Sequence, residues 1–297
     1  MINFQAVTIA DREKINAILK LSDFRAAEYS FANIFNWSKA FSSEIAFFED
    51  FLLCRGGTGR KNYIYPAGAG NLKAAITALT DDAAMLEQPF VLRAIQAEEK
   101  QLLEQLFPGR FYFTALRSTF DYVYHSEDLI NLSGKKFQSK RNLISRFNKN
   151  FEWHYEAITI DNLQECVQMN DEWCRLYACH ENSSLQAETC AVRRALNYFT
   201  DETLVGGLLR VGGKVVAYTI GEQINSDTFI IHIEKAFGEK FPGAYQVINR
   251  EFAERHAAHL KYINREDDTG DEGLRKAKLS YRPAFMIEKY SAELITA

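Results

Sequence analysis

The stretch LLRVGGKVVAYTI, residues 208–220, admits few backbones. Runs of large and β-branched apolar residues flank Gly212-Gly213, the two-residue spacing at which antiparallel strands are joined, and glycine supplies the positive φ such a turn needs. A hairpin is therefore expected here. A further apolar run, Thr228 to Ile233, follows it. Then FGEKFPGAYQVINREFAERH, residues 237–256, passes through Gly238, Pro242 and Gly243 into a helix-period pattern. Hairpin, strand, glycine corner and helix in that order make a mixed α/β unit.

The same alternation runs through the rest of the chain. In the first half, Ile45 to Leu53, Tyr63 to Pro66, Phe90 to Ile95 and Phe111 to Leu116 read as strands, with helices over Leu72 to Leu79 and Glu98 to Leu106. In the second half, Trp153 to Ile158, Lys261 to Asn264 and 284–290 read as strands, and 162–177, Ala187 to Phe199 and 271–280 as helices. At 297 residues the chain is long enough for two domains. The halves also share short matches. Val7-Thr8-Ile9 resembles Ile158-Thr159-Ile160, and the segment beginning at Phe120 resembles the one beginning at Phe285, both closing on Ser-x-Glu/Asp-Leu-Ile. We read a duplicated α/β (α+β) fold: a domain over 1–133, a connector over 134–150 and a second domain over 151–297.

The connector, Gly134 to Lys149, holds six Lys or Arg residues and no acid. Phe137, Ile144 and Phe147 fall on one helical face, and Lys136, Lys140 and Arg146 are placed on another, where they form a candidate RNA-facing patch. The chain as a whole carries a formal charge of −4, which excludes a generally basic nucleic-acid coat and confines such contacts to a local patch. Five cysteines form no C-x-x-C pair, and their odd number argues against a closed disulfide framework. With no secretory core at the start and no run of membrane-spanning length, the expectation is a cytoplasmic protein. No Gly-x-Ser-x-Gly elbow occurs, so hydrolase chemistry has no support. The acids of Glu266-Asp267-Asp268 lack a calcium-loop spacing, and no metal is expected.

Several residues carry chemistry by their spacing. Period-2 alternation over Phe229 to Glu234 puts His232 and Glu234 on one face of a strand. Arg275 and Lys278 are three apart on a helix, a costly arrangement for two cations unless an anion lies nearby, and Tyr281 is three further on. Lys240, Gly243 and Ala244 stand at the glycine corner, where backbone amides and the helix dipole favour negative charge.

The segments LSGKKFQSKRNLISRF and GLRKAKLSYRP, the second with Gly273, Leu274, Arg275, Lys278 and Pro283, resemble the soluble relatives of the phosphatidylglycerol lysyltransferase C-terminal domain. That family is built of two tandem GCN5-related N-acetyltransferase-like (GNAT) domains, and the order of elements here is similar over most of the chain. The resemblance implies transfer of an acyl or aminoacyl group, from acyl-coenzyme A or aminoacyl-tRNA, to the amine or hydroxyl of a small-molecule or peptide acceptor. It also implies roles. Glu234 would accept a proton, with His232 as the alternate base, and Tyr281 would protonate the leaving group. Lys240, Gly243 and Ala244 would seat the donor phosphate, and Arg275 with Lys278 would grip the donor. The family pattern at the corner is Gln/Arg-x-x-Gly-x-Gly/Ala, and this chain departs from it with Lys240 and Tyr245 at the outer positions. A non-catalytic ligand- or RNA-binding protein that keeps the duplicated fold is the alternative.

Overall fold

The computed structural model describes residues 2–177, 179, 183–201 and 204–295. They form two compact units. The first takes in the chain up to Asp121, then Asp267–Asp271 and the residues from Met286; the second is Tyr122–Glu266 with Glu272–Phe285.

The first unit runs β1 (Gln5–Ala6), α1 (Arg12–Ser22), α2 (Phe31–Trp37), β2 (Glu44–Phe48), β3 (Asp50–Gly56), β4 (Asn62–Ala69), α3 (Leu72–Met85), β5 (Val91–Ile95), α4 (Ala97–Leu106) and β6 (Phe111–Ala115). The run from Ile45 to Leu53 is two strands, not one. Phe48 pairs with Phe51 across a reversal at Glu49, which takes a φ of +51°. No glycine marks that turn, so the unbroken apolar pattern hides it.

The second unit runs β7 (Asp121–His125), α5 (Ser126–Asn131), α6 (Gln138–Asn150), β8 (Trp153–Ala157), α7 (Leu163–Leu176), α8 (Ser183–Asn197), β9 (Val205–Val211), β10 (Lys214–Gln223), β11 (Thr228–Ala236), α9 (Ala244–His256), β12 (Tyr262–Asn264), α10 (Glu272–Leu279) and β13 (Phe285–Ile287). The chain closes with β14 (Tyr290–Leu294) in the first unit. The first sheet has the order β1-β2-β3-β4-β5-β14-β6 and the second β13-β7-β12-β11-β10-β9-β8. The strand over 284–290 is therefore broken into β13 and β14. The two matched chain endings, β7 and β14, each stand inside a sheet, and the connector helix α6 is part of the second unit. The matched beginnings are helix lead-ins: the Thr8 amide donates to Asp11 Oδ2 at 2.8 Å and the Thr159 amide to Asn162 Oδ1 at 2.8 Å.

Lys289, between β13 and β14, turns its side chain inward in the first unit. Its ammonium lies 2.7 Å from Asp121 Oδ1 and 2.6 Å from Glu28 Oε2, and Asp121 Oδ2 accepts from the Ala27 amide at 2.8 Å. Asp121 has no exposed surface. Two carboxylates thus surround one desolvated ammonium, the arrangement that makes a buried lysine tolerable.

In the second unit the hairpin turn is as the sequence specifies, with Gly212 and Gly213 at φ +54° and +78°. The glycine corner has another task. Gly243 has φ +103°, and a Cβ there would come within 2.5 Å of the Leu143 carbonyl oxygen and 2.9 Å of Phe147 Cβ. Glycine lets α6 press onto the start of α9. Apolar Val247, Ile248 and Phe252 of α9 and Phe137, Ile144 and Phe147 of the α6 region are buried.

Two outcomes follow from this packing. Gly243→Ala meets both the positive φ and the α6 backbone, so it should lower unfolding stability by roughly 2 kcal/mol or more in urea titration. Lys289→Met strands Asp121 in a dry site and should cost about 3–5 kcal/mol, with part recovered in the Lys289→Met/Asp121→Asn double variant.

Candidate functional site

Strand β11 pairs with β10 along its length but with β12 only over Thr228↔Tyr262, Phe229↔Ile263 and Ile230↔Asn264, in parallel. Beyond Ile230, β11 continues to Ala236 while β12 ends at Asn264. The two strands part there. The turn that leaves β12 is strained: Glu266 has φ +56°, and its amide donates to Asn264 Oδ1 at 2.7 Å. A non-glycine residue in the left-handed region is held there by its surroundings, and such outliers gather at functional sites.

That turn sends two side chains back to β11. Arg265 Nη2 donates to Glu234 Oε1 at 2.8 Å, and Glu234 Oε2 accepts from Asn249 Nδ2 of α9, also at 2.8 Å. Glu266 Oε1 lies 2.9 Å from His232 Nδ1, while Glu222 Oε1 of β10 lies 3.0 Å from His232 Nε2. With a carboxylate at each ring nitrogen, only the doubly protonated imidazolium can donate to both. Burial alone would push the His232 pKa down, but the hydrogen bonds and charges of Glu222 and Glu266 overcome it and raise it to about 10. His232 is thus a cation at neutral pH and has no lone pair with which to act as a base. Glu234 is ion-paired, yet each of its oxygens keeps a lone pair.

Tyr281 lies beside this cluster, buried, with its hydroxyl on Gln246 and its pKa pushed up by burial, so the phenol keeps its proton. The Arg265 guanidinium carbon is 4.9 Å and the Lys140 ammonium 4.1 Å from its ring centroid. Lys278 is buried too, and its ammonium donates to the Arg265 carbonyl at 2.5 Å while its own carbonyl accepts from the Tyr124 hydroxyl at 2.9 Å. It braces the turn that aims Arg265. Arg275, one turn earlier on α10, is half-buried.

The other expected residues are placed elsewhere. Lys240 is exposed, 5.6 Å from the centroid of its neighbour Phe241. At the glycine corner the amides of Phe241 and Ala244 are spent on the carbonyls of Phe237 and Phe241, at 2.8 and 3.0 Å. With Gly243 covered by α6, this corner is a poor cradle for a pyrophosphate. Lys140 does not share a face with Lys136 and Arg146. It is buried with Phe137, Ile144 and Phe147, because positions 137, 140, 144 and 147 fall on one helical stripe; Lys136 and Arg146 are exposed. Sequence reasoning missed Arg265, Glu222 and Asn249. Their signals were faint, since each is a polar residue at a strand end or on a helix whose partner is remote in sequence.

The fold is tandem GNAT-like: a tandem GNAT protein from the clavulanic acid biosynthesis pathway superposes with a TM-score of 0.51 at 9% identity, covering 100% of each chain. A solved protein of unknown function from Bacteroides thetaiotaomicron is 41% identical, with a TM-score of 0.95 over 99% of this chain and 100% of its own. L-PGS from Bacillus licheniformis superposes with a TM-score of 0.65 at 16% identity, covering 95% of this chain and 91% of that one. The chain belongs to the phosphatidylglycerol lysyltransferase, C-terminal family, whose model matches residues 19–293. An uncharacterized protein of Mycoplasmoides gallisepticum is 25% identical over 181 residues, 60% of this chain, and the match spans 57% of that relative. Among the described residues no helix is long and apolar enough to cross a membrane.

The imidazolium has a pH signature. An unfolded histidine titrates near 6.5, whereas His232 in the fold titrates at about 10. Its stabilisation is therefore complete below about pH 6.5 and is lost as pH climbs toward 10. His232→Gln should be less stable than the wild type by a few kcal/mol at pH 6.5, and urea midpoints should converge near pH 10.

Proposed function

We propose that the second unit transfers an aminoacyl group from an aminoacyl-tRNA ester to the amine or hydroxyl of an acceptor. The observation that carries this reading is the parting of β11 from β12, with ionised side chains buried at the parted ends. Family membership supports the reaction class. The ester donor is preferred over acyl-coenzyme A because the Phe241 and Ala244 amides of the glycine corner are spent on backbone carbonyls and α6 covers Gly243.

In the proposed reaction the acceptor nucleophile attacks the ester carbonyl, a new C–N or C–O bond forms, and the bond to the 3′-terminal ribose oxygen breaks. Glu234 takes the proton of the nucleophile through a free lone pair, and Arg265 keeps that carboxylate aimed. Tyr281, still protonated, supplies the proton of the departing ribose oxygen. His232 holds Glu222 and Glu266 in place and takes no part in proton transfer.

Helix α6 presents Arg146 and Lys149 to solvent, and a groove of about 390 Å³ is lined by Leu132, Arg141, Ile144, Asn148, Lys149 and Arg250. This is where the phosphodiester backbone of the donor would lie.

Two measurements test the reading. Filter binding should show tRNA affinity falling roughly 10- to 100-fold between about 50 and 200 mM salt, with a shallower slope in Arg146→Ala/Lys149→Ala. Coenzyme A should leave the melting temperature unchanged. A rise with coenzyme A would reassign the donor, and silence from both ligands would make the protein a binding module. In single-turnover transfer, Glu234→Gln should slow the chemical step by roughly 10²- to 10⁴-fold with tRNA binding retained; an unchanged rate removes Glu234 from the role.

A further inference from the structure

Lys140 differs from the buried lysines Lys235 and Lys289. Lys235 has Glu188 at 2.6 Å, and Lys289 has Asp121 and Glu28 at 2.7 and 2.6 Å. Lys140 is buried to a similar degree, at 8% exposure against 6% for Lys235. Among the described residues it has no carboxylate. Its ammonium donates to Ser280 Oγ at 2.6 Å and faces the Tyr281 ring at 4.1 Å. A hydroxyl and a ring face do not neutralise a desolvated ammonium.

A second cation shares that ring. Arg265 stands 4.9 Å from the Tyr281 centroid, and its Nη2 is satisfied by Glu234, but its Nη1 is buried with no hydrogen-bond acceptor. The oxygens of Glu234 accept from Arg265 and Asn249, and Lys140 makes no ion pair with it. Burial first, and then the charge of Arg265, hold Lys140 below its ordinary pKa. Ser280 is exposed and donates its own proton to the Ala277 carbonyl at 2.5 Å, so its oxygen accepts from Lys140 and the cluster opens to solvent beside it.

We propose that Lys140 and Arg265, arranged about Tyr281, form a binding site for a compact oxyanion of the carboxylate or phosphate class, entered past Ser280. Arg265 supplies an in-plane donor through Nη1, and Lys140 supplies a mobile point charge. The site goes beyond the transfer reaction: it requires that a bound substrate or effector carry an anionic group, and it can be measured with no donor present. Charge, rather than shape, is what recognises the ligand.

The test uses the whole chain, with inorganic phosphate and acetate as separate probes and chloride replaced to keep ionic strength constant. At about ten times its dissociation constant, the better probe should raise the melting temperature by roughly 2–4 °C. Lys140→Met keeps the apolar stem and removes the charge, so it should abolish that rise, while Lys140→Arg should retain it. Phosphate preference marks a phosphate monoester or diester ligand; acetate preference marks a carboxylate. An equal rise in Lys140→Met, or no rise with either probe in the wild type, overturns the proposal. A second readout needs no variant. Acylation of Lys140 by an amine-reactive reagent, followed by mass spectrometry, should slow when the probe is present, with exposed Lys135 as the unaffected reference. Equal slowing at both lysines, or none at Lys140, also overturns it.

Discussion

The second unit depends on how far β11 and β12 can pair. Three residues of parallel ladder join them, after which β11 runs on from Ile231 to Ala236 without pairing to β12. Backbone and side-chain polar groups left at such a parting must find other partners or bear a desolvation cost of about 1–3 kcal/mol each. Here the partners are ionised side chains. Arg265 and Glu266 reach back from the turn after β12, and Glu222 and Asn249 reach in from β10 and α9. The result is a charged cluster where a continuous sheet would have put an apolar one.

Burying ions in this way is seldom a source of stability, because the desolvation of each charge offsets most of the attraction. The strain at Glu266 adds to that cost. What the arrangement provides is fixed direction. Lys278 holds the Arg265 carbonyl, Asn264 holds the Glu266 amide, and His232 is locked between two carboxylates, so each of these groups is fixed by a partner. The first unit offers a contrast. Its ammonium at Lys289 is matched by two carboxylates, whereas the cations around Tyr281 outnumber their acid. The matched cluster is structural; the unmatched one is where the proposed anion would bind.

Much of the scaffold could be read from residue pattern because its determinants are local. Gly212-Gly213 specified the hairpin, and the helix-period runs specified α7, α9 and α10 within a residue or two. Period 2 put His232 and Glu234 on one face, and that much is seen in their shared cluster. Other features were hidden. The hairpin at Glu49 carries no glycine, and Lys289 looks like an ordinary strand lysine until Asp121, 168 residues earlier, is brought beside it. The charge of Lys140 suggests the outer face, but its spacing from Phe137, Ile144 and Phe147 places it on the inner one.

By itself the chain determined its local vocabulary: which segments are strands or helices, where the tight turns fall, and which polar residues share a face with one another. Those properties depend on neighbours within a few positions, where side-chain spacing and backbone sterics decide the outcome. Tertiary structure alone decided which charge meets which. It set His232 as an imidazolium, gave Glu234 an arginine, turned Lys140 inward and gave Gly243 to helix packing. Protonation and pairing are set by burial and by partners tens of residues away, and those distances exist only once the sheet is formed.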